Sequence, residues 1–176
     1  MDEPMSDFHF GLMSSGYRFR DLFMPRRNVL GEVGIKPGFH VLDYGCGPGG
    51  YIVAAAKLAG KSGKVYALDI HPLAIQKVTE IASKKKLTNV VTICSDCKTG
   101  LAANSVDVVL FYDIYHGLSN PNKVLAELHR VLKPKGILSC SDHHLTEDEI
   151  VSRISGNGLF GLLGKGKNTY SFTKEV

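Results

Sequence analysis

A chain of 176 residues with 44% hydrophobic and 22% charged side chains and a mean hydropathy near zero has room for one domain with a sizeable core, not two. That apolar content excludes disorder, and no apolar run approaches the ~20 residues a membrane helix needs. The net charge of +4, from 21 Lys+Arg against 17 Asp+Glu, is too thinly spread for a committed nucleic-acid binder. Lys84, Lys85 and Lys86 form a basic run where a helix is expected to end, and cations there complement the helix dipole. Met1 to Leu12 carry three acids and no basic stretch, which argues against a secretory leader, and four cysteines make no disulfide framework. These features predict a single soluble domain in the reducing cytoplasm.

In chain order, Pro25 can open a helix through Arg26 to Val33, closed by Gly34. Phe39 to Asp43 reads as the first strand, and Tyr51 to Leu58 as an Ala-rich buried helix stopped by Gly60. Lys64 to Asp69 is the second strand, Pro72 opens the next helix, and Val90 to Cys94 and Val106 to Tyr112 are strands three and four. Asn120-Pro121 starts a helix whose Val124, Leu125, Leu128, Val131 and Leu132 recur at helical spacing. Pro134-Lys135-Gly136 is expected to turn into a fifth strand, Ile137 to Ser141. Thr146 and Glu149 have the form of a capping box, and Leu159 to Leu163 and Tyr170 to Thr173 suit a closing hairpin. The alternation predicts an α/β fold: a doubly wound, mostly parallel, seven-stranded Rossmann-like sheet with a C-terminal antiparallel hairpin. Ligands in such sheets bind beyond the carboxyl ends of the strands, at the switch point.

The segment after strand one reads Asp43-Tyr44-Gly45-Cys46-Gly47-Pro48-Gly49-Gly50. Glycines there let the backbone turn sharply and approach a ligand. Gly45, Gly47 and Gly50 match G-x-G-x-x-G, while Gly45, Gly47 and Gly49 match G-x-G-x-G. Asp43 helps to decide between ligands: its carboxylate repels a pyrophosphate and attracts a nucleoside bearing an ammonium and a sulfonium. Asp69, ending strand two, can accept both hydroxyls of a ribose in either case. A dehydrogenase-like Tyr-x-x-x-Lys spacing, Tyr170 and Lys174, falls in the last strand rather than on a helix and is read as accidental.

Asp43 to Gly49, Val65-Tyr-Ala-Leu-Asp69, Ser95-Asp96, Val106-Asp-Val-Val109 and Leu132-Lys-Pro-Lys-Gly136 follow in order. Together they resemble the class I S-adenosylmethionine-dependent methyltransferases, in particular the broad groups that include the ubiquinone/menaquinone-biosynthesis enzymes. The resemblance covers roughly Pro25 to the C-terminus. It implies S-adenosylmethionine as cofactor, S-adenosylhomocysteine as product, and a small-molecule methyl acceptor. Asp43, Gly45, Cys46, Gly47 and Gly49 would then line the methionine end, Asp69 the ribose, and Ile70 the adenine. Asp96 would accept from the adenine amino group with Cys97 beside it. Phe111 and Tyr112 would face the methionine amino group and the methyl. An RNA or protein acceptor, or a non-catalytic cofactor-binding subunit with a partner, are the alternatives.

On the acceptor side, Asp113 and His116 after strand four, and His143 and His144 after strand five, are residues that could converge. Asp113 and His116 are the candidate catalytic residues; His116 either acts as a base or packs against the cofactor loop. Metal-using relatives place Asp where this chain has Tyr112, so no metal is expected. Cys94 and Cys97 have C-x-x-C spacing without a second pair to complete a zinc site. Residues 1–24, rich in Phe, Tyr and Leu and mixed with Arg18 and Arg20, are expected to fold as a lid over the single domain of residues 25–176, with Tyr17 touching cofactor or substrate.

Overall fold

A computed structural model describes residues 26–175. Helix α1 (Arg26–Val33) leads into β1 (His40–Tyr44), α2 (Ile52–Ala59), β2 (Lys64–Asp69) and α3 (Pro72–Lys84). β3 (Val90–Cys94), β4 (Val106–Tyr112), a 3₁₀ turn (Tyr115–Gly117), α4 (Pro121–Val131) and β5 (Leu132–Ser141) follow. The chain closes with α5 (Glu147–Ser155), β6 (Phe160–Lys165) and β7 (Tyr170–Lys174). The sheet order is β3-β2-β1-β4-β5-β7-β6, with β1 to β5 parallel and β7 antiparallel to both β5 and β6. The order reverses between β1 and β4, which places the switch point beside the glycine-rich loop.

Alternation along the strands sends side chains to two cores. Leu42, Val109, Phe111 and Leu138 pack against Leu125 and Leu128 of α4 and Ile150 and Ile154 of α5. Val41, Val65, Val108 and Leu110 pack against Leu30 and Val33 of α1 and Ile52, Ala55 and Ala56 of α2. The helix caps follow the sequence: Asn120 accepts from the backbone of Lys123, and Thr146 and Glu149 complete their capping box.

The turn expected before the fifth strand is not one. The Pro134-Lys135-Gly136 turn does not separate helix from strand; β5 already begins at Leu132. Leu132 pairs with Val106 and Ile137 with Val108, so the extra residues bulge out within one strand. Gly136 is required there, because a Cβ would sit 2.6 Å from Leu132 Cδ1 and 3.0 Å from the carbonyl of Asp107.

Glu32 ties α1 to the hairpin by accepting from the backbone amides of Asn168 and Thr169, the Asn168 amide and the Thr169 hydroxyl. Burial pulls its pKa upward, but these four hydrogen bonds outweigh burial and hold it below 4.5. The stabilisation is therefore full above the unfolded value and is lost as pH falls through the lower folded one. Glu32→Ala should cost about 1.5–3 kcal/mol in denaturant melts at neutral pH. The wild-type advantage should shrink below pH 4.5; an advantage independent of pH would show that the carboxylate does not carry it.

Candidate functional site

The loop leaving β1 is folded by its glycines. Gly45, Gly47 and Gly49 have φ of 76°, 50° and 84°, all in the left-handed region. At Gly45 a Cβ would run into Ile114 Cδ1, so the loop after β4 packs directly on the glycine loop. At Gly47 the same position is open, with nothing within 4 Å. The amides of Gly45 and Cys46 both donate to the carbonyl of Leu68, at 2.8 and 2.9 Å, anchoring the loop to the end of β2.

Asp69 clamps the same loop. Its Oδ2 accepts from the Gly47 amide and its Oδ1 from the His71 amide, each at 2.8 Å. Burial raises its pKa above the ordinary value, although these amides pull it down. Each carboxylate oxygen keeps acceptor capacity for a further donor. Asp43 lies at the carboxyl end of β1 with 3% exposure. Asp96 is exposed after β3, where its carbonyl accepts from the Tyr44 hydroxyl at 3.1 Å. A cavity of about 200 Å³ opens between Asp96, Cys97, Leu118, Asn120 and Lys123.

Carboxylates thus stand at or just beyond the ends of three adjacent strands, β1, β2 and β3, and that of Asp69 holds the glycine loop. The donor set fits a cationic nucleoside, offering acceptors to an ammonium, to ribose hydroxyls and to an adenine amino group. The Cys46 thiol is pushed well above its usual range by burial, then by Asp43 and Asp69, which keeps it protonated. Cys97 is also raised by burial, and its Sγ lies 3.7 Å from the Lys123 carbonyl. Ile70 is half-buried beside Asp69. Cys94 is exposed and Cys97 buried.

The side chains of Phe111 and Tyr112 do not converge. The pleat sends them to opposite faces, so they cannot both present side chains to one ligand. The Phe111 ring has 0% exposure and stands edge-on to Tyr44 and Tyr115. Tyr112 lies in the other core, with its hydroxyl 2.8 Å from Ser139 Oγ and its ring 4.9 Å from that of Tyr51. Tyr17 and the proposed lid lie outside the described residues.

Asp113, His116, His143 and His144 do meet, because β4 and β5 are neighbours and Tyr112 pairs with Ser141. Asp113 has φ 54°, a left-handed conformation that Asp tolerates, and its Oδ1 lies 2.7 Å from His143 Nδ1. The His144 ring sits 4.1 Å from that of His116 and 4.0 Å from that of His143. The sequence reading omitted Asp142 from the convergent group. Its buried carboxylate accepts from His116 N and His144 N and is 2.9 Å from His116 Nδ1. Its place as the first residue after β5, beside two histidines, was the available signal. Asp113, Asp142 and His143 bring one donor atom each within 4.8 Å of one another. His116 and His144 engage Asp142, and His143 engages Asp113, so these groups form one hydrogen-bonded cluster.

A methyltransferase-domain family model matches residues 35–168. A demethylmenaquinone methyltransferase of Geobacillus stearothermophilus is 30% identical over 133 residues, covering 75% of this chain and 57% of that protein. A ubiquinone/menaquinone biosynthesis C-methyltransferase of Cupriavidus taiwanensis is 30% identical over 126 residues, covering 71% of this chain and 50% of that protein. The chain spans about half the length of the curated relatives it matches. A solved S-adenosylmethionine-dependent methyltransferase from Aquifex aeolicus superposes with a TM-score of 0.76 at 30% identity, covering 86% of this chain and 90% of that one. With its fold, its strand-end carboxylates and a family match over most of its length, the chain belongs to the class I S-adenosylmethionine-dependent methyltransferases.

Proposed function

We propose that this protein transfers a methyl group from S-adenosylmethionine to a small organic acceptor by in-line displacement, acting in the cytoplasm. The observation that carries the reading is the run of carboxylates Asp43, Asp69 and Asp96 at the ends of three adjacent strands, with Asp69 holding the open Gly47 loop in place. The relatives named for quinone biosynthesis support a small organic acceptor.

Bound there, S-adenosylmethionine would supply an electrophilic methyl group to the acceptor's lone pair, with S-adenosylhomocysteine as the leaving group. Asp43 would pair with the methionine ammonium, Asp69 would accept from the ribose hydroxyls, and Asp96 would accept from the adenine amino group. Gly45, Gly47 and Gly49 let the backbone approach, and Cys46, Ile70 and Cys97 line the pocket by packing. Backbone groups of Phe111 and Tyr112 border the methionine end. Alignment is the main contribution, supplying roughly 7–11 kcal/mol when nucleophile and methyl are held at ~3 Å. His116 removes the acceptor proton where the acceptor must lose one, adding about 10²–10⁴-fold. Asp113 supports that end of the site by orienting His143.

Calorimetric titration of the full chain with S-adenosylmethionine, S-adenosylhomocysteine and NAD tests this. Micromolar binding of the first two and none of NAD is expected. Binding of NAD alone would overturn the assignment.

A further inference from the structure

The loop after β5 carries a group that the proposed chemistry has not yet used. Asp142 has a side chain with 0% accessibility, yet it meets three N–H groups: the backbone amides of His116 and His144, each at 3.1 Å, and the His116 ring. The ring nitrogen involved is Nδ1, 3.0 Å from Oδ1 and 2.9 Å from Oδ2. An ionised carboxylate only accepts, so this contact requires the proton on Nδ1. Nε2 then carries the lone pair, on a side chain that is 34% exposed. The amide of His116 bonds the same carboxylate, so backbone and ring are held together and the imidazole cannot swing away.

The placement matches the need. The His116 turn follows β4, and Ile114 of that segment rests against Gly45 of the glycine loop. Among the described residues, the titratable groups around the imidazole are Asp142, the His144 ring at 4.1 Å, the His143 ring at 6.2 Å, and Asp113 behind His143. Only Asp142 can receive the Nδ1 proton of His116 at hydrogen-bonding distance among the described residues.

We infer that Asp142 is the positioning residue that makes His116 a proton acceptor, by locking its Nδ1–H tautomer and directing the Nε2 lone pair toward the acceptor site. The inference rests on the methyl-transfer reading. In the step, the acceptor's X–H proton passes to Nε2 as the lone pair on X bonds the methyl carbon. His116 becomes an imidazolium beside the Asp142 carboxylate and later releases the proton to solvent. The carboxylate is not protonated; it orients the ring and balances its transient charge, as in other His–Asp pairs.

The test uses full-length protein labelled with ¹⁵N-histidine and compares wild type with Asp142→Asn, an isosteric change. At alkaline pH, long-range ¹H–¹⁵N correlations of wild type should show His116 as the Nδ1–H tautomer. In Asp142→Asn the amide NH₂ can donate to Nδ1, and the Nε2–H tautomer should dominate. Diethyl pyrocarbonate, which acylates an imidazole lone pair, should modify His116 at Nε2 at least tenfold faster in wild type than in the variant, read by peptide mass spectrometry. S-adenosylmethionine affinity should be equal in the two. An Nε2–H tautomer in wild type overturns the inference even if the variant fails to fold. A fixed Nδ1–H tautomer without S-adenosylmethionine binding instead overturns the methyl-transfer reading and leaves the pairing intact.

Discussion

Asp69→Ala should weaken S-adenosylmethionine binding by at least about 100-fold in calorimetry. Hydrogen bonds to a charged group contribute roughly 1.5–3 kcal/mol each, and two ribose hydroxyls are at stake. The same substitution removes the acceptor for the Gly47 amide, so the loop loses its clamp along with the ligand. Asp69→Asn keeps one oxygen and should fall between the two. Burial raises the Asp69 pKa, so wild-type affinity should decline on acidification at a pH above 3.8, as the carboxylate is neutralised. Circular dichroism melts of each variant separate lost binding from lost folding. Affinity within threefold of wild type in a folded Asp69→Ala protein would remove Asp69 from the site.

Phe111→Ala should behave in the opposite way, damaging the fold and sparing the ligand. The ring is fully buried between Tyr44 and Tyr115 in the core that α4 and α5 cover. Deleting a buried Phe side chain costs about 3–5 kcal/mol, or a Tm drop of roughly 6–20 °C in a chain of this size. The folded fraction should still bind S-adenosylmethionine within about threefold. Phe111→Leu, with a smaller loss, provides the comparison if the alanine variant does not fold. Intact stability combined with lost affinity would return the Phe111 ring to the cofactor side.

The contrast between these residues separates local from non-local information. Asp69 ends a largely apolar strand and precedes a proline-started helix, so its position at a strand tip could be read from a dozen neighbouring residues. The glycine loop was legible for the same reason: left-handed backbone needs glycine, and Gly45, Gly47 and Gly49 mark it. The burial of the Phe111 ring was not legible in the same way, because its position at the end of β4 does not by itself say to which face the pleat sends it. The bulge in β5 was missed because Pro-Lys-Gly between a helix and a strand has the local form of a turn. Only its pairing with β4 shows that Leu132 already belongs to the sheet.

By itself, the amino-acid sequence determined the alternation of strands and helices, the glycine loop and the order of the strand-end carboxylates, because periodicity, turn chemistry and capping act over a few residues. The tertiary structure alone decided which of those groups meet. It brought the Gly47 amide to Asp69, 22 residues away, the Asp142 carboxylate to the His116 ring, 26 residues away, and Glu32 to Asn168, 136 residues away. Such contacts follow from strand order and register, which bring distant segments together once two cores have been buried on either side of one sheet.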